Sequence, residues 1–161
     1  MKQLLKLTGC LALAGLFASC QSAQQEANYQ IIPMPQEMVT AQGTPFILKS
    51  GVKILYPEGN EKMQRNAQFL ADYLKTATGK DFAIEAGTEG KNAIVLTLDA
   101  ANENPESYQL KVAGDGITIA GPTEAGVFYG IQSLRKSLPV AVGADISMPA
   151  VEINDAPRFG Y

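Results

Sequence analysis

The sequence predicts an α+β domain, one mixed β-sheet with two α-helices packed on one face. Three observations carry this. Apolar residues recur with a period near 3.6 in two segments, Glu61 to Ala77 and Val127 to Leu138. Tyr108–Val112 and Ile117–Ala120 flank Gly114-Asp115-Gly116 as strands of a β-hairpin. Between the two helical segments, Ala93–Leu98 (AIVLTL) is an almost continuous apolar run bounded by Asn92 and Asp99, the pattern of a strand covered on both faces.

The elements follow in order. Tyr29–Thr40 (YQIIPMPQEMVT) is extended, because Pro33 and Pro35 forbid a helix and confine the segment to a sheet edge or a polyproline-like run. Gly43-Thr44-Pro45 turns into a short strand, Phe46–Leu48, and Ser50-Gly51 turns into another, Val52–Tyr56. Asn60 suits a helix N-cap and Gly79 a helix stop, so the first helix lies between them. Its stripe is Met63, Ala67, Leu70, Leu74 and Ala77, with Phe69 and Tyr73 beside it. Phe82–Ile84 is a short strand. The second helix follows Gly121-Pro122-Thr123, buries Val127, Phe128, Ile131, Leu134 and Leu138, and ends at Pro139. Ile146–Ile153 (ISMPAVEI) is a last strand interrupted by proline.

Composition removes most chemistries. The chain has 161 residues, one domain's length, with 46% hydrophobic and 18% charged residues. Thirteen Lys and Arg against sixteen Asp and Glu, with no basic cluster, argue against a nucleic-acid partner. There is no His, so a Ser-His-Asp triad or a His-ligated zinc site within these residues is excluded. The two cysteines, Cys10 and Cys20, leave the remainder of the chain without a disulfide framework or thiolate metal site. No cofactor is expected.

The N-terminus reads as an address. Lys2 and Lys6 precede an apolar stretch, Leu7 to Ala18, too short to span a bilayer, and Ser19-Cys20 follows. Leu16-Phe17-Ala18-Ser19-Cys20 resembles a bacterial lipobox, which implies residues 1–19 as a lipoprotein signal peptide and Cys20 as the acylated anchor. Residues 20–28 are then a polar, flexible tether, and residues 29–161 the domain. The expected location is a bacterial outer membrane, on its periplasmic or surface side.

Each remaining motif has a bland alternative. Gly121-Pro122-Thr123-Glu124-Ala125-Gly126 follows a strand and opens a helix, as phosphate-binding loops do, but Val127 and Phe128 stand where Lys and Ser or Thr are needed. Gly126 instead lets the helix start pack tightly against the sheet. No two carboxylates are obliged to converge as a glycosidase pair, although Asp145, Glu152 and Asp155 lie near a possible interdomain edge. Asp99, Asn102, Glu103 and Asn104 lack the spacing of a calcium loop. With no Trp, a sugar platform would fall to Tyr29, Tyr56 or Tyr161.

Three stretches together resemble a known family. Ile31-Ile32-Pro33-Met34-Pro35-Gln36-Glu37 is similar to the opening segment of bacterial β-N-acetylhexosaminidases of glycoside hydrolase family 20. Gly121 to Leu134 (GPTEAGVFYGIQSL) resembles the last helix of their N-terminal domain, where the pattern seen at Gly126–Leu134 (Gly-x-x-Tyr-Gly-x-Gln-Ser-Leu) recurs. Ile153 to Tyr161 (INDAPRFGY) resembles the junction into their catalytic domain. The resemblance implies a non-catalytic α+β module ahead of a (β/α)8 barrel of about 250 residues. It also implies a retaining, substrate-assisted hydrolysis in which the sugar's own acetamido group attacks its anomeric carbon. The Asp-Glu pair that serves that reaction belongs to the barrel, so no catalytic residue is assigned in this chain. What the resemblance does imply is a barrel-contact seam at Arg158, Phe159 and Tyr161, a glycan substrate bound through the barrel, and inactivity of the segment alone. Open beside it stand a free-standing envelope module for carbohydrate binding or scaffolding, and the same support domain attached to another glycoside hydrolase.

Overall fold

A computed structural model describes residues 24–99 and 104–157. In chain order the strands are β1 (Gln25–Glu26), β2 (Glu37–Thr40), β3 (Phe46–Leu48), β4 (Lys53–Tyr56), β5 (Ile84–Ala86), β6 (Ala93–Leu98), β7 (Tyr108–Ala113), β8 (Gly116–Gly121), β9 (Ile146–Met148) and β10 (Val151–Asp155). Helix α1 (Glu61–Thr78) follows β4, and α2 (Glu124–Ser137) follows β8.

Seven strands form one mixed sheet in the order β2-β10-β7-β8-β6-β4-β5. Strand β6 runs parallel to β4 and β8, as strands joined through helices and crossovers must. The β7–β8 hairpin and the β10 pairings are antiparallel. Registry separates the two faces. Ile54, Ile94, Ile117, Val112 and Val151 lie in one cross-strand row, and Leu96, Ile119, Leu110 and Ile153 in the next on the same face. Those residues share a core with Met63, Leu70 and Leu74 of α1 and Val127, Ile131 and Leu134 of α2. Both helices therefore cover one face of the sheet, as expected. The other face carries exposed Gln109, Lys111 and Thr118, with only Leu55, Ala93 and Val95 forming a small buried cluster.

Local chemistry sets the helix ends. Asn60 is extended (φ −98°), and its side-chain oxygen accepts the Met63 N–H at 3.0 Å. Gly79 takes the left-handed conformation (φ 71°) and donates to the Lys75 carbonyl, ending α1. Thr123 caps α2 by accepting the Gly126 N–H at 3.2 Å. The Asn60 amide also donates to the Glu124 carboxylate at 3.0 Å, holding that acid below its usual range, and the Asn66 amide donates to the Glu124 carbonyl. One asparagine pair thus ties the starts of both helices together.

Four expectations need correction. Ile146–Ile153 is not one strand: Pro149-Ala150 separates β9 from β10, and the two belong to different sheets. Proline has no N–H to continue a ladder, so the chain changes sheet there. That change creates a second, three-stranded sheet, β1-β9-β3, beside the expected one, and its Phe46, Leu48, Ile146 and Met148 close one end of the same core. Its strand β1 lies in the stretch expected to be a structureless tether: Gln25 and Glu26 pair in parallel with β9, and Ala27 is buried. Strand β5 begins at Ile84, two residues after Phe82, which is buried in the core.

Candidate functional site at the chain exit

The second described stretch ends at Pro157, just past β10. Tyr108 opens β7 opposite Asp155, on the helix-facing side of the sheet. Its hydroxyl lies 2.5 Å from the Ser133 hydroxyl on α2 and donates to Asp155 Oδ2 at 3.3 Å. The other carboxylate oxygen, Oδ1, accepts the Gln36 backbone N–H at 3.1 Å, while the Gln36 amide donates to the Ala156 carbonyl at 2.8 Å. Four parts of the chain meet here: the proline-rich entry segment, β7, α2 and the exit strand.

Two glycines bring α2 to this point. A Cβ at Gly130 would lie 2.5 Å from the Ile119 side chain and 3.1 Å from the Tyr108 ring. A Cβ at Gly126 would run into the Ser107 carbonyl oxygen. Without side chains at those positions α2 sits close enough for Ser133 to reach Tyr108. The Gly126–Ser133 spacing is therefore a packing device. The loop Gly121–Gly126 holds β8 to α2 in the same way, and Thr123 donates to the Pro105 carbonyl.

Two cavities flank the cluster and share Tyr108, Asp155 and Ala156 as a wall. One, of about 320 Å³, is mixed in character, with Gln36, Glu37, Asp99 and Asn154 beside Ala120 and Pro122 in its lining. The other, of about 340 Å³, is mainly apolar and lies between Ile31, Pro33 and Met34 of the entry segment and Tyr129 and Gln132 of α2. Lys136 donates to the Ile32 carbonyl at 3.0 Å and pins that segment to the helix.

Chemically this is a clasp. Asp155 accepts at both carboxylate oxygens, and burial, aided by the Asp155 charge, pushes the Tyr108 hydroxyl up to about 12 against a downward pull from Ser133. Such a phenol stays protonated at neutral pH and serves as a donor. Among the described residues no group of three acidic or thiol side chains forms a metal-binding arrangement.

The sequence-derived candidates fall in four groups. Cys20, Arg158, Phe159 and Tyr161 lie outside the described residues. Asp145, Glu152 and Asp155 do not form one group: Asp145 pairs with Lys80, Glu152 accepts from Gln109 on the outer sheet face, and Asp155 alone belongs to the exit cluster. Asn104, the described member of the supposed cation loop besides Asp99, accepts the Glu106 N–H in a turn. Tyr29 is buried, with its hydroxyl on the Pro149 carbonyl, and offers no platform for a sugar. Tyr108, Ser133 and Gln36 were not singled out by the sequence, although Gln36 stands within the Ile31–Glu37 stretch and Ser133 within the Gly126–Leu134 motif.

Residues 28–156 match the family model "Glycosyl hydrolase family 20, domain 2". The chain belongs to glycosyl hydrolase family 20. A beta-hexosaminidase of Porphyromonas gingivalis is 32% identical over 163 residues, covering 92% of this chain and 21% of that protein. A beta-N-acetylhexosaminidase of Cellulomonas fimi is 25% identical, covering 81% of this chain and 27% of that protein. The structure of the family 20 beta-N-acetylhexosaminidase from Streptomyces coelicolor superimposes with a TM-score of 0.73 at 27% identity, covering 86% of this chain and 28% of that one. The chain thus spans about a fifth to a quarter of the length of these relatives, as fits a non-catalytic domain of a larger enzyme.

Proposed function

We propose that this chain is the N-terminal support domain of a lipid-anchored β-N-acetylhexosaminidase. The observation that carries the reading is the match of residues 28–156 to domain 2 of the family, within relatives of which the chain covers only 21% and 28%. In this reading a (β/α)8 barrel follows in the same polypeptide and removes terminal N-acetylhexosamine by substrate-assisted, retaining hydrolysis. The clasp at Asp155 supports the reading, because it fixes the direction in which the chain leaves the domain. Arg158, Phe159 and Tyr161 then form a seam against the barrel. Cys20 carries the lipid, and the enzyme works in a bacterial envelope, tethered to the outer membrane.

The test is a paired assay on a nitrophenyl N-acetylglucosaminide. The full-length polypeptide should release nitrophenol, and residues 24–161 alone should release none. Activity in the short piece would overturn the assignment of catalysis to the barrel. An antibody against residues 40–140 supplies the second measurement: in native membranes it should detect a band far above the 17.2 kDa of this chain.

A further inference from the structure

Between α2 and β9 the chain presents two valines to solvent. Val140 and Val142 are 80% and 71% exposed, while Ala141 between them is buried. The backbone builds this exposure in. The Ala141 N–H donates to the Ala77 carbonyl and the Gly143 N–H to the Thr78 carbonyl, both at 2.9 Å, so the loop closes the end of α1. The Ala144 N–H turns back onto the Ala141 carbonyl, and Gly143 supplies the left-handed conformation within that turn (φ 80°). Lys80 holds the far side of the loop, through the Ala144 carbonyl at 2.6 Å and through Asp145.

The polypeptide enters the domain at the same place. The Gln25 N–H donates to the Asp145 carbonyl at 3.3 Å, β1 runs beside β9, and the Asn28 N–H donates to the Ser137 carbonyl at the end of α2. The loop that carries the valines, residues 138–145, is thus bracketed by contacts to the entering chain. In sequence four residues separate Gln25 from Cys20, a length that reaches at most about 18 Å even when fully extended. Asp145, the acid of this loop, is paired with Lys80, which offsets its repulsion of an anionic surface.

We infer that the Val140–Val142 tip is a membrane-surface contact, which dips into the headgroup boundary of the bilayer that holds the anchor. The inference rests on the proposal above that Cys20 carries the lipid. Two side chains of this size would hold a free protein on a bilayer only weakly. A tether this short keeps them at the surface, so the contact is in effect intramolecular and a small apolar tip suffices. The consequence is orientation. The acyl chains fix where the protein sits, and the valines fix which end of it faces the lipid. The C-terminal end of α1 then lies at the membrane, and its N-terminal end, about 27 Å away over 18 residues, lies on the side turned from it.

Val140→Cys and Glu58→Cys, made separately in the full-length acylated polypeptide and labelled with a fluorophore, test this. Glu58 is exposed and stands just ahead of the N-cap of α1, at the far end of that helix. Peptide mass analysis confirms that each label sits on the intended thiol. The proteins are reconstituted in phosphatidylethanolamine–phosphatidylglycerol vesicles whose lipids carry a nitroxide near the top of the acyl chain. Emission at position 140 should be quenched about twofold or more, and emission at position 58 should not change. Adding Val142→Asp to the position-140 protein should restore most of the lost emission. Equal quenching at the two positions, or none at 140, would overturn the inference. Equal shielding of position 140 from iodide with and without vesicles would also overturn it, since it would assign the valines to a protein contact. Failure of the underlying reading looks different: the N-terminal peptide of the polypeptide from its source would carry no acyl group on Cys20, and the inference would fall with it.

Discussion

The hydroxyl of Tyr108 lies 2.5 Å from that of Ser133, joining the first residue of β7 to the middle of α2. This contact sits beneath the exit strand, and Asp155 completes it. Tyr108→Phe should lower stability by about 1–2 kcal/mol, because it leaves the Ser133 hydroxyl without its acceptor and one Asp155 oxygen without its donor in a part-buried site. Ser133→Ala should cost less, since Tyr108 keeps Asp155. The double variant should be no worse than Tyr108→Phe alone. Urea midpoints of the four proteins check all three statements, and simple additivity would show that the two hydroxyls are not coupled.

Alkaline pH provides a second reading of the same group. Burial raises the Tyr108 hydroxyl to about 12, from an ordinary value of 10.0, and burial also raises Tyr29 strongly. A raised folded-state value means the native protein holds its proton while the unfolded chain has lost it. The stabilisation is thus fully present below pH 10 and declines as pH rises toward 12 and beyond. The slope is at most about 1.4 kcal/mol per pH unit for each such tyrosine. Stability measured from pH 9 to 11.5 should fall, and Tyr108→Phe should flatten that fall. An unchanged slope in the variant would show that Tyr108 ionises normally.

Alanine normally favours a helix over glycine by about 1 kcal/mol. In α2 the sign should reverse. Gly130→Ala puts a methyl against Ile119 and the Tyr108 ring, and Gly126→Ala puts one into the Ser107 carbonyl oxygen. Side chains can shift but backbone resists, so Gly126→Ala should be the more damaging. Both should lose about 1–3 kcal/mol net, visible as lower thermal midpoints. A stabilised Gly126→Ala protein would mean that the helix does not sit this close to residue 107.

Elements whose signals are local were legible in the sequence. Asn60 and Gly79 bracket α1, and the glycine turn between β7 and β8 marks the hairpin, because capping and turn chemistry depend on neighbours a few residues away. The small second sheet was not legible: β1 is two polar residues whose partner, β9, lies about 120 positions along the chain. The exit clasp hid for the same reason. Gln36, Tyr108, Ser133 and Asp155 meet only once the sheet order is known, and none of the four is unusual where it stands. The Gly126–Leu134 motif named the helix that matters, yet the reason for its glycines lies beneath them, in the Pro105–Ser107 loop under Gly126 and strands β7 and β8 under Gly130.

Two lysine–carboxylate pairs near the end of α1 should behave oppositely. Lys75 and Asp81 meet at 2.7 Å with both side chains largely exposed, a geometry in which solvent screens the attraction. Lys75→Ala should leave the urea midpoint unchanged. Lys80 is mostly buried, and its ammonium bonds both to Asp145 and, at 2.6 Å, to the Ala144 carbonyl. It thereby holds the loop that leads into β9, and the Ala141 and Gly143 N–H groups of that loop satisfy the Ala77 and Thr78 carbonyls at the end of α1. Lys80→Ala removes the cation from both oxygen partners and loosens that cap. A loss of about 1–2 kcal/mol is expected. Because the pair is partly shielded, most of that loss should persist in 1 M salt, where the Debye length is about 3 Å. If added salt equalises the two variants with the unsubstituted protein, the Lys80 contact is an ordinary surface pair and the loop is held by its backbone bonds alone.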